Sequence, residues 1–258
     1  MFCGSTTAKI TREHLAPKWI SDLFPDAGIG TSEILRRDGS MTTYNIEVFS
    51  QTVRAPCQGC NNGWMSVLEE RVKRLLGPMI RHGQATKLRP PAQALIATWA
   101  IKTAFMYEYL HPAERVVPDS EYHRFYKIKQ PPDDYRVWLA HRTIYTDHTG
   151  RELLMASREQ HVTNLNATNE ASKQEIEAWL ASGGSVFRIT FTIGRLVFQI
   201  FGHSLPGRFN VEVAPNVKVV QLIWPVNGNV TWPPPNPVEQ IGGIDGLHAA
   251  FDQPPPGR

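Results

Sequence analysis

Cys57-Gln58-Gly59-Cys60-Asn61-Asn62-Gly63-Trp64 is the stretch on which the fold of this chain turns. Led in by Pro56, it is a turn cluster that opens directly into an amphipathic run. Trp64, Val67, Leu68, Val72, Leu75, Leu76 and Met79 recur at three- and four-residue spacing, which predicts a helix with one core-facing stripe. Glu69, Glu70, Arg71, Lys73 and Arg74 fill much of the other side, and their mixed signs fit a solvated face. Gly77-Pro78 is expected to end or kink the helix, because proline lacks an amide donor. Two residues between Cys57 and Cys60 let both sulfurs turn toward one tetrahedral ion. A CxxC pair also serves redox chemistry, but no thioredoxin-like βαβ pattern surrounds this one.

Upstream lies the third cysteine, Cys3. Three cysteines in 258 residues cannot form a secreted disulfide framework, and the odd count leaves metal, catalysis or packing. Residues 1 to 20 read as a short strand pair and a turn, with Pro17 disfavouring helix at Ala16. Asp22 to Gly39 is rich in Gly, Asp and Ser and reads mostly as loop. Thr43 to Arg54 carries Tyr44, Ile46, Val48, Phe49, Thr52 and Val53, a strand or a bulged pair.

Downstream, Pro90-Pro91 suggests a boundary, followed by a deeply apolar helix from Gln93 to about Leu110. A short helix from Asp119 to Lys129 follows, with Asp119 or Ser120 as its cap. Its Tyr122, Phe125 and Tyr126 lie near Lys127 and Lys129; they could stack on bases, although packing on the preceding helix is the commoner use. Arg136 to Tyr145 reads as a strand and Lys173 to Ala181 as a helix. Val186 to Ile193 and Leu196 to Phe201 flank Gly194-Arg195 as a β-hairpin, and Val217 to Trp224 is expected to complete an antiparallel meander. Asp147-His148 reads as a turn and His203 as a strand end. From Trp232 onward the Pro-rich tail reads as extended or disordered.

Length and composition allow one large or two modest domains with a real core. No run of 18 apolar residues exists, and Met1-Phe2-Cys3-Gly4-Ser5 lacks the features of a signal peptide, so the expectation is a soluble, cytoplasmic protein with no membrane association. The formal charge of +3 sits unevenly: residues 1 to 90 hold 12 Lys/Arg against 8 Asp/Glu. That excess points weakly to an anionic partner there.

Glu13-His14-Leu15-Ala16-Pro17 and Cys57-Gln58-Gly59-Cys60-Asn61, in that order, resemble the HNH endonucleases of the ββα-metal group in their zinc-knuckle form. Pro17-Lys18-Trp19 and Asn61-Asn62-Gly63-Trp64-Met65 with Leu68-Glu69 resemble an uncharacterised subgroup. The resemblance covers roughly residues 1 to 80. It implies an N-terminal ββα-metal, treble-clef-like zinc-knuckle domain over 1–90; the pattern of the remaining residues makes the whole an α+β chain, with a helical segment and an antiparallel β-meander domain of unknown role over 91–232 and a Pro-rich tail at 233–258. The resemblance implies DNA as the partner, structural Zn²⁺ on Cys3, Cys57 and Cys60, catalytic Mg²⁺ or Mn²⁺ on Glu13 and Asn61, and His14 as general base. A protein partner or a homodimer would use the C-terminal part.

Departures accompany the match. The first knuckle cysteine would fall three residues before Cys3, ahead of Met1, so three thiolates stand where a closed structural site takes four ligands. Glu13 replaces the commoner Asp. Some 42 residues separate His14 from Cys57, implying an insertion over the loop of residues 22 to 42, and no Asn occurs in the six residues before Cys57. Two other readings follow: a non-catalytic zinc-dependent module gripping nucleic acid or protein on a degenerate HNH scaffold, and a redox-active CxxC protein.

Overall fold

Strand β1 (Ile10–His14) is followed by Pro17, whose extended backbone sets off the single turn α1 (Lys18–Ser21). The computed structural model describes residues 2–35, 41–143, 154–161, 170–182, 184–203, 218–243 and 246–247. Next come β2 (Ile29–Leu35) and β3 (Met41–Glu47), which pair with each other, and then β4 (Thr52–Cys57). β4 turns away from β3 and runs antiparallel to β1, with Ile10 opposite Cys57 and His14 opposite Thr52. Three expectations change here. The first 20 residues hold one strand, not a pair; the Gly- and Ser-rich stretch holds β2; and the run from Thr43 to Arg54 is two strands, broken where Phe49 takes φ 70°. Composition misled at β2 because pairing with β3 supplies the backbone hydrogen bonds that a loop would lack.

β4 passes through the single turn α2 (Gln58–Cys60) and a π-type turn, Asn61–Met65, into the long helix α3 (Ser66–His82). Leu68, Val72, Leu76, Met79 and Ile80 are its buried stripe, as the periodicity requires, but Val67 is exposed. α3 runs through Gly77-Pro78 and ends at Gly83 in the left-handed region, where Gly83 N–H donates to Met79 O at 3.0 Å. A short strand, β5 (Thr86–Leu88), leads to α4 (Pro90–Tyr107). Pro90 and Pro91 occupy the first helical positions, where the missing N–H costs nothing, so they start this helix and do not precede it. α4 is buried without a gap from Ile96 to Tyr107, as a helix apolar on all sides must be. Helix α5 (Asp119–Ile128) is capped by the extended Pro118, not by Asp119 or Ser120; the Asp119 carboxylate instead accepts from Arg115 Nη1 at 2.8 Å.

The remaining elements build a sheet. They are β6 (Arg136–His141), β7 (Met155–His161), α6 (Glu170–Ala181), β8 (Val186–Ile193), β9 (Leu196–His203), β10 (Gln221–Trp224) and β11 (Val230–Trp232). β8 and β9 form the expected hairpin, with Ile193 opposite Leu196. Gly194 takes φ 52° at the first central position, as a type II′ turn demands. A Cβ there would lie 2.5 Å from Ile80 O, so glycine also lets this turn dock on the end of α3. The five strands lie in the antiparallel order β10-β6-β9-β8-β7, so β10 joins β6, not β9, and the simple meander is corrected. β11 pairs with β5, and Trp232 is fully buried with its indole N–H donating to Ala140 O at 3.2 Å. The tail thus begins as packed structure, and Val238 is also in a core. Asp147-His148, Val217 and residues 248–258 lie outside the described residues; His203 ends β9 as expected.

Phe187, Ile189, Phe191 and Phe198 turn one sheet face onto α4, where Trp99 lies 5.6 Å from Phe198 and Phe105 lies 6.3 Å from Phe187. That buried set is continuous from Phe2 to Trp232 and crosses Pro90-Pro91. The opposite sheet face packs Trp138, Val197 and Phe201 with Ile176, Val220 and Val238. No helix among the described residues is long and apolar enough to cross a membrane.

Buried Glu108 pins the segment between α4 and α5. Its carboxylate accepts from Val116 N–H and Val117 N–H, both at 2.9 Å, and from Tyr122 O–H at 3.1 Å. Glu108→Ala leaves two buried amides without an acceptor and should cost about 3 kcal/mol in urea unfolding. Burial raises the Glu108 carboxyl above its ordinary value, against these hydrogen bonds. A carboxyl raised in the native state contributes stability below its unfolded pKa of about 4.3, which is lost as pH rises through the native value. Unfolding measured across pH 4 to 7 should therefore show Glu108→Gln gaining on the wild type as pH rises.

Candidate metal centre

Two neighbouring clusters form where β1 meets the chain leaving β4. The β1–β4 register puts Ile10 beside Cys57, and Gln58 N–H donates to Lys9 O at 2.9 Å, which draws the N-terminal segment over the α2 turn. Cys3 Sγ then lies 3.5 Å from Cys57 Sγ, and Cys60 N–H reaches Cys57 Sγ at 3.4 Å. The three sulfurs lie within 4.8 Å of one another, and all three cysteines are unbridged. In a tetrahedral site with zinc–sulfur bonds of about 2.3 Å, sulfurs stand about 3.8 Å apart, so the spacing suits zinc.

The thiols do not share one acidity. Burial alone would push Cys57 up, but the Cys60 amide, the Cys3 and Cys60 thiols and the Gly59 amide outweigh it and leave it below its ordinary value. Cys60 is pushed up to about 12, by burial first and then by Cys57. One sulfur therefore ionises readily while its neighbour resists. A cation among them removes that conflict, because each thiolate then faces positive charge. Three soft thiolates fit zinc, one ligand short of a closed shell.

The second cluster is polar. Burial alternates along β1: Thr11 and Glu13 turn inward and are half-buried, whereas Arg12 and His14 are exposed. Glu13 and His14 consequently point to opposite sides of the strand. Asn61 comes from the π-type turn; its amide nitrogen lies 3.3 Å from Thr11 Oγ1, and its side chain is near enough to Glu13 to oppose the rise in that carboxyl's pKa. The structure thus joins Glu13 with Asn61 and puts His14 on the other face of the strand, from which its charge still bears on Glu13. With nitrogen turned to the carboxylate, the Asn61 amide must flip before its oxygen can join Glu13 on a divalent ion. Two oxygen ligands, with water and phosphate for the rest, fit Mg²⁺ or Mn²⁺ after that flip.

Two residues that spacing did not single out enter the same cluster. Lys102, on α4, is 1% exposed and ion-paired with Glu69 of α3. Trp19 Nε1 from α1 donates to the other Glu69 oxygen at 2.8 Å, and Lys102 Nζ lies 5.8 Å from the Trp99 ring centroid. Burial raises the Glu13 carboxyl above its ordinary value; the Lys102 charge and the Asn61 hydrogen bond oppose that rise, and the Glu69 charge adds to it. On sequence pattern Glu69 belongs to the solvated helix face, and Lys102 falls inside an apolar run. The only available signal was that Trp19 and Leu68-Glu69 belong to the stretches carrying the resemblance. Tyr122 and Phe125 are buried against Phe105, which decides for packing over base stacking at those positions.

No family model, no curated protein and no solved structure matches this chain.

Lys102→Met leaves the Glu69 carboxylate without its cation inside the protein and should lower the unfolding free energy by about 3 kcal/mol. Glu69→Leu in the same chain should restore part of it, since the buried charge is then gone. Urea unfolding of the two variants checks both signs.

Proposed function

We propose that the chain is a metal-dependent endonuclease that hydrolyses DNA, with an HNH-like site on β1 and the turn after β4. The observation that carries this reading is the meeting of Glu13 with Asn61 directly beside the Cys3, Cys57 and Cys60 cluster. In that reading the cluster holds structural zinc, and the ββα element made by β1, β4 and α3 is the zinc-knuckle domain. Glu13 and Asn61 hold a divalent ion, which when bound neutralises charge on the phosphate and its leaving oxygen. His14, exposed at the end of β1, takes the proton from a water whose oxygen attacks phosphorus, while the bond from phosphorus to the sugar oxygen breaks. The Lys102 and Glu69 charges act on the Glu13 carboxyl in opposite senses. The excess of basic residues before position 90 suits a polyanionic substrate.

A second reading is a zinc-dependent nucleic-acid-binding module without catalysis. It is favoured by the Lys102 ammonium, which already supplies a positive charge to Glu13, and by the Asn61 nitrogen turned to that carboxylate. Supercoiled plasmid incubated with Mg²⁺ or Mn²⁺ separates the two. The nuclease reading expects nicking that His14→Ala slows by about a hundredfold or more while DNA binding persists. Binding without any cleavage, equal in wild type and His14→Ala, would overturn the nuclease and leave the binding module.

A further inference from the structure

We infer that His123 of α5 is the fourth zinc ligand, closing a Cys3-Cys57-Cys60-His123 site. This deepens the zinc reading of the cysteine cluster and rests on it, but it does not depend on catalysis. A fourth donor must come from an element lying over the sulfurs, and α5 is that element. Phe2, next to Cys3, packs on Tyr122 at 6.0 Å and on Phe125 at 6.3 Å between ring centroids. Trp64, four residues after Cys60, packs on Phe125 at 5.9 Å and on Tyr126 at 6.4 Å. Both ends of the cluster are therefore clasped by the same helix.

The face of α5 turned this way carries His123 and Tyr126, three residues apart and so on one side of the helix. The His123 imidazole lies directly on the backbone that follows Cys3. A Cβ built on Gly4 would stand 3.1 Å from its Nε2, 3.4 Å from Cε1 and 3.5 Å from Cδ2. Gly4 takes φ 68°, so the glycine after Cys3 both makes the turn and leaves the seat in which this ring rests. Among the described residues no hydrogen bond holds either nitrogen of the ring. Tyr126 is the other donor on this face, but imidazole nitrogen belongs to the usual ligand set of structural zinc and a phenol does not. The ring now rests at Gly4, outside the trio of mutually close sulfurs, so ligation takes a side-chain rotation toward them. Three cysteines with one histidine is a recurrent structural zinc set.

The test is zinc K-edge X-ray absorption on the purified full chain loaded with one equivalent of zinc. The wild type should give three sulfurs at about 2.3 Å and one nitrogen at about 2.0 Å with imidazole outer-shell scattering. His123→Cys should convert this to four sulfurs, a change that follows only if position 123 reaches the ion. His123→Ala should weaken zinc binding at least tenfold in competition with a chelating dye. Three sulfurs and a light atom without imidazole scattering in the wild type, unchanged in His123→Cys, would overturn the inference while leaving the zinc reading intact. A wild type that takes up no zinc would overturn both.

Discussion

Three cysteine sulfurs held within 4.8 Å of one another are the constraint on which the candidate site depends. Thiolates this close repel one another in the absence of a cation, and the acidities of the two buried thiols diverge: Cys57 falls and Cys60 rises. The crowding is not accidental to one loop. It is enforced by the register of β1 on β4, by the Gln58 amide on Lys9, and by the α2 turn that brings Cys60 back toward Cys57. Glu13 stands three residues beyond Ile10, and Asn61 directly follows Cys60, so whatever fixes the sulfurs also fixes the carboxylate against the amide. The sulfur cluster and the polar cluster are two consequences of one strand pairing.

The second constraint comes from outside the motif-bearing segment. α4 is buried on all sides, yet it carries Lys102, and a lysine in such a place needs a carboxylate. Glu69 supplies it from α3, Trp19 fixes the far oxygen of that carboxylate, and the Lys102 charge reaches Glu13. The aromatic layer behind α4, Trp99 on Phe191 and Phe198, backs the same helix from the sheet. The candidate site is thus built on the core that runs from Phe2 to Trp232, and α5 is clasped to it through Phe2 and Trp64.

Much of this was legible from local pattern, and the misses have a common cause. The stripe of Leu68, Val72, Leu76 and Met79 gave α3, and Gly194-Arg195 gave the β8–β9 hairpin, because both signals lie within a few residues. The order and spacing of Cys3, Cys57 and Cys60 anticipated the sulfur cluster. What failed needed a partner far along the chain. β2 has a strand partner that composition did not reveal, and β10 lies beside β6 rather than the nearer β9. Trp232 packs where its prolines suggested a tail. Glu69 and Lys102 show the same limit in the site: each is unremarkable on its own helix, and only the packing of α3 on α4 makes them a pair. The split between Glu13 and His14 was implicit in strand alternation, which separates neighbouring residues by face.

The central claim is that Cys3, Cys57 and Cys60 bind one metal ion that locks β1 to the turn after β4. An anomalous difference map recorded at the zinc absorption edge, from crystals of the zinc-loaded chain, tests it most directly. The account predicts a single peak about 2.3 Å from each of the three sulfurs. A map with no peak among them, or density for a bond between Cys57 and Cys60, would contradict it.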